Sequence, residues 1–83
     1  MLMQDLGFPG IEKHPNVQGG SACIVSTRIP VWVLVMFRKM GTSDAELLLS
    51  YPSLSAEDLA NTWAYYAAHR DEIDGEIAEQ EAS

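Results

Sequence analysis

The sequence lacks most features of extracellular and membrane proteins. It contains one cysteine, Cys23, so no intrachain disulfide can form, and a reducing compartment is favoured. Its longest apolar run, Val31–Phe37, is far shorter than the about 20 residues that span a bilayer. Residues 1–10 lack the basic and apolar regions of a secretory signal. We therefore expect a cytoplasmic protein that does not bind membranes.

Residue patterns typical of catalysis are also missing. His14 and His69 lie far apart, and neither has a cysteine or a second histidine at metal-ligand spacing. Gly19-Gly20 indicates a turn and not a phosphate-binding loop. Cys23 lies in an apolar segment and is interpreted as a small buried residue. We therefore predict a protein that is not an enzyme and that uses no cofactor and no metal.

Basic residues are few, and the charge is unevenly spread. The chain has five Lys and Arg residues against twelve Asp and Glu residues, for a net charge of −7. Residues 1–43 carry a net +2, residues 44–68 a net −4 and residues 69–83 a net −5. A mildly basic front and an acidic tail favour two different partners. A solvated surface without partners is the alternative.

The pattern of turn formers and apolar residues predicts a mainly all-α fold with a small β element. A short strand is expected near Ile11–Lys13, and the β-branched residues of the segment 22–29 predict a second. Pro30 suits the start of a helix over Val31–Met40, which Gly41 would end. This helix is apolar around most of its surface. Because so small a domain has little core to cover it, we predict a homodimer.

A helix–turn–helix is predicted next. Ser43 and Glu46 have the spacing of a capping box, in which each side chain satisfies the other's backbone N–H group. Leu47–Leu49 are expected in the core of this helix, and Tyr51-Pro52 ends it. The unit reads either as an ordinary helical hairpin or as a DNA-binding motif.

The last predicted helix is long. It starts after Ser55 and is expected to run unbroken over residues 56–80, about 37 Å at 1.5 Å per residue. The body of so small a domain is shorter than that, so the stretch from His69 onward is expected to project. Ile73 and Ile77 would then be exposed apolar residues among acids.

Three aromatic residues of this helix, Trp63, Tyr65 and Tyr66, would suit a platform for stacking bases. The helical spacing of Trp63 and Tyr66 favours a place in the core instead. Tyr65 is then expected to be the more exposed of the three.

DNA binding would depend on basic residues outside the second helix of the motif. That helix normally enters the major groove by its start, which here carries Glu57 and Asp58. Phosphates repel these carboxylates. The candidate DNA-binding residues are therefore Arg28, Arg38 and Lys39.

Residues 11–70 resemble a known family. Thr27-Arg28-Ile29-Pro30-Val31, followed by a helix and by Tyr51-Pro52-Ser53-Leu54, is similar to the pattern of domain-of-unknown-function family 433. Ser21-Ala22 and Ser26 depart from the family's usual Lys-Pro and glycine. The resemblance implies a dimeric, homeodomain-like helix–turn–helix with a short N-terminal β-hairpin and a long C-terminal helix. It also implies the role of antitoxin in a type II toxin–antitoxin pair.

The acidic ending resembles the arms with which antitoxins cover their toxins. The resemblance implies a helix–turn–helix domain with its β element over residues 1–68 and a toxin-binding arm over residues 69–83. The partner would be a PIN-like ribonuclease, whose basic RNA groove the arm would occupy. The candidate toxin-binding residues are Asp71, Ile73, Asp74, Glu76, Ile77 and Glu79. The dimer would also autoregulate its operon by binding operator DNA; the alternative is a stand-alone helix–turn–helix transcriptional regulator without a toxin.

Overall fold

The structure is a computed structural model that describes residues 10–13, 20–25 and 27–82. His14, the turn at Gly19 and Ser26 lie outside the described residues. Within the described part, two short strands precede four helices: β1 (Ile11–Glu12), β2 (Cys23–Ile24), α1 (Val31–Lys39), α2 (Asp44–Ser50), α3 (Ala56–Ala68) and α4 (Arg70–Ala82). The prediction of a mainly all-α fold with an N-terminal β-hairpin is confirmed.

The strands form a small antiparallel sheet beside the helices. β1 pairs with β2, with Ile11 opposite Ile24. On its other side β2 contacts the chain that leads into α1, where the Ile24 N–H donates to the Ile29 carbonyl at 2.9 Å. The second strand is shorter than predicted because the chain turns after Ile24, and Arg28 takes a φ of 58°, in the left-handed region. Cys23 is buried, as predicted.

α1 has almost the predicted bounds. It ends at Lys39, two residues before Gly41, which has the predicted left-handed conformation with a φ of 95°. Pro30 is its N-cap, with a ψ of 142°, and precedes the first helical residue. Val31 and Leu34 are buried in the core. The cover for this apolar helix comes largely from α4 of the same chain.

α2 and α3 form the predicted helix–turn–helix. The Ser43 N–H donates to Glu46 Oε1 at 2.9 Å, and the Glu46 N–H donates to Ser43 Oγ at 3.1 Å, which confirms the capping box. Ser55 begins α3 with a second capping box. Leu47 is buried, but Leu49 is 82% exposed, so its predicted core position was wrong. Successive helical residues lie about 100° apart, and three in a row cannot share one face.

The predicted unbroken last helix was wrong. The helix stops at Ala68 and resumes at Arg70, because His69 has a non-helical φ of −133° and ψ of 44°. The chain folds back there, and α4 packs mainly on α1. One hydrophobic cluster results, to which the two strands and all four helices contribute. Its buried members are Ile11, Ala22, Ile24, Val31, Leu34, Val35, Leu47, Leu54, Leu59, Tyr65, Ile73 and Ile77.

Candidate functional site

The apolar residues of the candidate toxin-binding set lie inside the fold. Ile73 is 0% exposed and Ile77 is 6% exposed. Both belong to the cluster that also contains Leu34 of α1. The prediction that they project into solvent was therefore wrong. Each isoleucine buried in this way contributes about 1.5–3 kcal/mol from the removal of its side chain from water.

Three acidic side chains of α4 also contact the rest of the fold. Glu72 lies 3.0 Å from the Lys13 ammonium. Asp74 lies 2.8 Å from the Lys39 ammonium at the end of α1. Glu76 accepts a hydrogen bond from the Ser21 hydroxyl, while its Oε1 is buried and has no hydrogen-bond partner among the described residues. These contacts are spread along α4, so the helix is held by polar groups on both sides of its isoleucines.

Two tyrosines of α3 donate to the same acids. The Tyr65 hydroxyl lies 2.9 Å from Glu72 Oε1 and 3.1 Å from Oε2. The Tyr66 hydroxyl donates to Asp74 at 2.8 Å. Tyr65 is 0% exposed, so the prediction that it is the most exposed of the aromatic residues was wrong. The fold-back of α4 covers Tyr65, whereas Trp63 and Tyr66 remain half-buried.

The contacts around α4 shift several ionisation equilibria. The hydrogen bond from Lys39, followed by that from Tyr66, lowers the pKa of Asp74 below its ordinary value. The same contact with Asp74 raises the pKa of Lys39. Burial, followed by the Glu72 carboxylate, raises the pKa of Tyr65. Burial also raises the pKa of Cys23, which keeps it a neutral thiol. The shifts at Asp74, Lys39 and Tyr65 each favour the charge state that keeps the contacts of α4 with α1 and α3.

The outer side of α4 keeps a smaller acidic surface. Asp71, Glu79 and Glu81 are exposed there, and Gly75 and Ala78 lie between them. Of the six candidate toxin-binding residues, Asp71 and Glu79 therefore lie on the surface. The other four lie at or near the contact with the domain. We call Asp71, Glu79 and Glu81 the outer acidic face.

The structure places the three candidate DNA-binding residues at two ends of α1. Arg28 is exposed in the turn before the helix, and Arg38 and Lys39 are in its last turn, about 14 Å of helix away. The Arg38 guanidinium lies 4.3 Å from the centre of the Trp63 ring. Lys39 is paired with Asp74. The two ends of α1 are therefore separate basic sites, and Lys39 already forms a salt bridge with a carboxylate.

The first turn of α3 carries the two acidic residues Glu57 and Asp58. The Asp58 side chain accepts from the Ser55 N–H at 3.0 Å, as part of the capping box. Glu57 is exposed beside it. The Trp63 indole N–H lies 3.4 Å from Asp44 of α2 and links the two helices of the motif.

Two large apolar side chains that the sequence did not predict to be exposed lie on the surface, one just after α1 and one in α2. Met40 is 70% exposed and Leu49 is 82% exposed. An open groove of about 280 Å³ lies between these helices, lined in part by Phe37 and Tyr51. Helical periodicity alone did not identify Leu49 as exposed, because α2 is too short to show a clear apolar stripe.

The described residues contain no group of three or more His, Cys, Asp or Glu side chains placed to hold a metal ion. In the same part of the chain, every helix is too short or too polar to span a bilayer.

Comparisons with known proteins place the fold in a family. Residues 11–66 match the model of a family described as "Protein of unknown function (DUF433)". A crystal structure of a DUF433 member protein from Anabaena variabilis is similar to this chain, with 52% sequence identity and a TM-score of 0.80. The similarity covers 83% of this chain and 68% of that one. None of the curated proteins matches. α4 lies beyond the family match, which covers more than half of the sequence, and the chain belongs to the DUF433 family.

Proposed function

We propose that this protein is the antitoxin of a type II toxin–antitoxin pair and that it neutralises a PIN-like ribonuclease by direct binding. The observation that carries the proposal is the outer acidic face on a helix that the domain holds in place. Residues 69–83 carry a net charge of −5, and six of the chain's twelve acidic residues lie there. A ribonuclease that binds RNA needs a basic groove, and complementary charge steers and orients two such surfaces.

The structure changes how such a helix would bind. Ile73 and Ile77 are engaged by α1, so they do not offer apolar anchors while α4 is docked. Asp71, Glu79 and Glu81 point away from that contact and are exposed. A docked helix loses little conformational entropy on binding, which favours affinity. We therefore propose that the toxin binds α4 from outside, with the domain as a rigid support.

A matched pair of charge reversals tests this proposal. Asp71 and Glu57 are both exposed acids in the first turn of a 13-residue helix, α4 and α3 respectively. Asp71→Lys and Glu57→Lys therefore cost similar helix-dipole energy and change the net charge equally. We expect Asp71→Lys to weaken binding to a PIN-like nuclease encoded by a neighbouring gene by about tenfold or more, because it reverses one charge of the outer acidic face. Glu57→Lys should bind as the wild type does. Equal binding by all three proteins in calorimetry would contradict the proposal.

A second role in DNA binding is favoured by the helix–turn–helix of α2 and α3. In this proposal the phosphate contacts come from Arg28, Arg38 and Lys39, since Glu57 and Asp58 occupy the start of α3. Affinity for the protein's own promoter should fall steeply with salt, because each phosphate contact releases counterions. Neutralising all three basic residues should abolish the shift of a promoter fragment in a gel. Unchanged binding after this triple substitution would refute the assignment.

A further inference from the structure

The junction between α3 and α4 is one residue long and contains no helix breaker. Ala67 and Ala68 precede it and Arg70 follows it, and these residue types favour helix. The hydrogen bonds of a continuous helix persist on both sides of the break. The His69 N–H donates to the Tyr65 carbonyl at 2.9 Å, and the Ile73 N–H donates to the His69 carbonyl at 3.1 Å. A rotation about the backbone of His69 is therefore sufficient to join the two helices.

The start of α4 differs from the starts of α2 and α3. Those two helices begin after serines that form capping boxes. α4 begins after His69, a residue type that caps helices less well than Ser, Thr, Asp or Asn. Joining the helices would give the first N–H groups of α4 the carbonyls of the last turn of α3 as acceptors. Local structure at the junction thus favours a continuous helix.

Packing within one chain favours the opposite arrangement. A continuous helix over residues 56–82 would be about 40 Å long at 1.5 Å per residue. The longest extent of the folded chain is 35 Å. Such a helix would carry Ile73 and Ile77 away from α1 and leave the core open. One chain cannot both join α3 to α4 in a straight helix and keep Ile73 and Ile77 packed on its own α1.

We propose that two copies of the chain resolve this conflict by exchanging α4. In the exchanged homodimer, α3 and α4 of each protomer form one helix, and α4 packs on α1 of its partner. The contacts of Ile73, Ile77, Asp74 and Glu72 are all kept, now between chains. Exchange of an existing element needs no new complementary surface, and short hinges promote it. This proposal gives the homodimer expected from the sequence a specific interface, and it does not depend on the antitoxin role.

The dimer should form in a concentration-dependent way, since association costs translational and rotational entropy. Arg70→Pro is the diagnostic variant. Proline is tolerated in the first turn of a helix, where residue 70 lies in the folded-back chain, but it breaks a continuous helix. Arg70→Ala is the matched control, because it removes the same side chain and its contact with Tyr66 while favouring helix. In sedimentation we expect wild type and Arg70→Ala to dimerise and Arg70→Pro to dimerise more than about 100-fold less tightly. Equal dimerisation by Arg70→Pro would overturn the proposal, as would a wild type that stays monomeric at millimolar concentration.

A cross-linking experiment on the wild-type sequence tests the exchange independently of any variant. Lys39 Nζ and Asp74 Oδ1 are 2.8 Å apart, close enough for a carbodiimide to join them through an amide bond. Chains labelled with ¹⁵N and unlabelled chains are mixed, unfolded, refolded together and coupled. In the dimer fraction we expect the cross-linked peptide pair to include molecules with one labelled and one unlabelled half. If every Lys39–Asp74 cross-link in the dimer joins halves of the same label, α4 has not been exchanged and the proposal fails.

Discussion

Tyr65 shows at the scale of one residue how polar groups fix the position of α4. Its ring is buried in the core, its hydroxyl donates to Glu72, and it stacks on His69 with ring centres 4.2 Å apart. A buried hydroxyl must have a partner, because an unsatisfied one costs about 1–3 kcal/mol. Glu72 provides a partner while α4 is packed against the domain.

Tyr65→Phe removes this hydroxyl and keeps the ring. We expect the free energy of unfolding to fall by about 1–2 kcal/mol, since the bond is to a charged acceptor. Tyr66→Phe is a suitable control, because that hydroxyl donates to the more exposed Asp74 and should matter less. Urea denaturation followed by Trp fluorescence measures both. A Tyr65→Phe protein as stable as the wild type would show that the hydrogen bond does not hold α4.

Asp74 predicts a pH dependence at the same scale. Its pKa in the folded protein lies below the ordinary value of 3.8, because Lys39 and Tyr66 donate hydrogen bonds to it. A carboxyl group with a lowered pKa stabilises the fold above its unfolded pKa, and this contribution is lost as the pH falls through the folded pKa. Stability should therefore fall below about pH 4, and Asp74→Asn should show a shallower fall. Lys39→Gln, which removes the main cause of the shift, should resemble Asp74→Asn in melts recorded across this range. Identical acid limbs for all three proteins would contradict this reading.

At the scale of the element, α4 is a core helix with an acidic outer side. Its two isoleucines lie four residues apart and face α1 together. The other side carries the outer acidic face. The apolar stripe of Ile73 and Ile77 would suit an exposed binding arm, and it equally suits a helix packed on a core. The folded chain adopts the packed arrangement.

Ile73→Val measures how much the packed position contributes. Removing one methylene from a fully buried site should lower the free energy of unfolding by about 0.5–1.5 kcal/mol. Ala78→Ser on the exposed side of α4 is the control, and it should change stability by about 0.5 kcal/mol or less. The two variants are compared in chemical denaturation. If Ile73→Val has no effect, the isoleucine is exposed in solution and α4 is a projecting arm.

Local signals in the sequence were sufficient to find the starts and ends of most elements. The Ser43 capping box, the stop at Gly41 and the start after Ser55 all depend on neighbouring residues, and all were predicted. The break at His69 was missed because its cause is the contact of Ile73 with α1, more than 30 positions earlier in the chain. Periodicity identifies an apolar stripe, but it does not say which surface covers it.

The same limit applies to the candidate site. Asp71 and Glu79 are exposed, as an acidic binding surface requires, and their charge is visible in the sequence. The pairing of Lys39 with Asp74 could not be predicted, because it depends on the direction in which α4 returns. That pairing changes the interpretation of both residues: a candidate DNA contact and a candidate toxin contact neutralise each other.

At the scale of the whole molecule, one core is shared by elements from both ends of the described chain. β1, α1 and α4 all contribute buried residues to it. A chain of this size buries only about 60–65% of its unfolded surface, so the loss of one helix removes a large share of the core.

Removal of α4 tests this dependence. A chain ending at Ala68 would expose the face of α1 that Ile73 and Ile77 cover, and we expect it to be unfolded or aggregated at room temperature. Replacing the two exposed alanines Ala78 and Ala82 by serine in the intact chain is a control that should leave folding unchanged. Circular dichroism and heteronuclear NMR distinguish the outcomes. A folded, cooperative fragment of residues 1–68 would mean that α4 is an independent arm.

The order of elements along the chain also affects how the protein emerges from the ribosome. α1 ends at Lys39 and its main cover, α4, begins at Arg70, so 30 residues lie between them. At a synthesis rate of about 5–20 residues per second, the ribosome adds these residues in about 1.5–6 s. Until α4 has left the ribosome, the side of α1 that α4 covers stays open to chaperones and to neighbouring nascent chains. When two ribosomes translate the same message, the first α4 to emerge can meet the α1 of either chain.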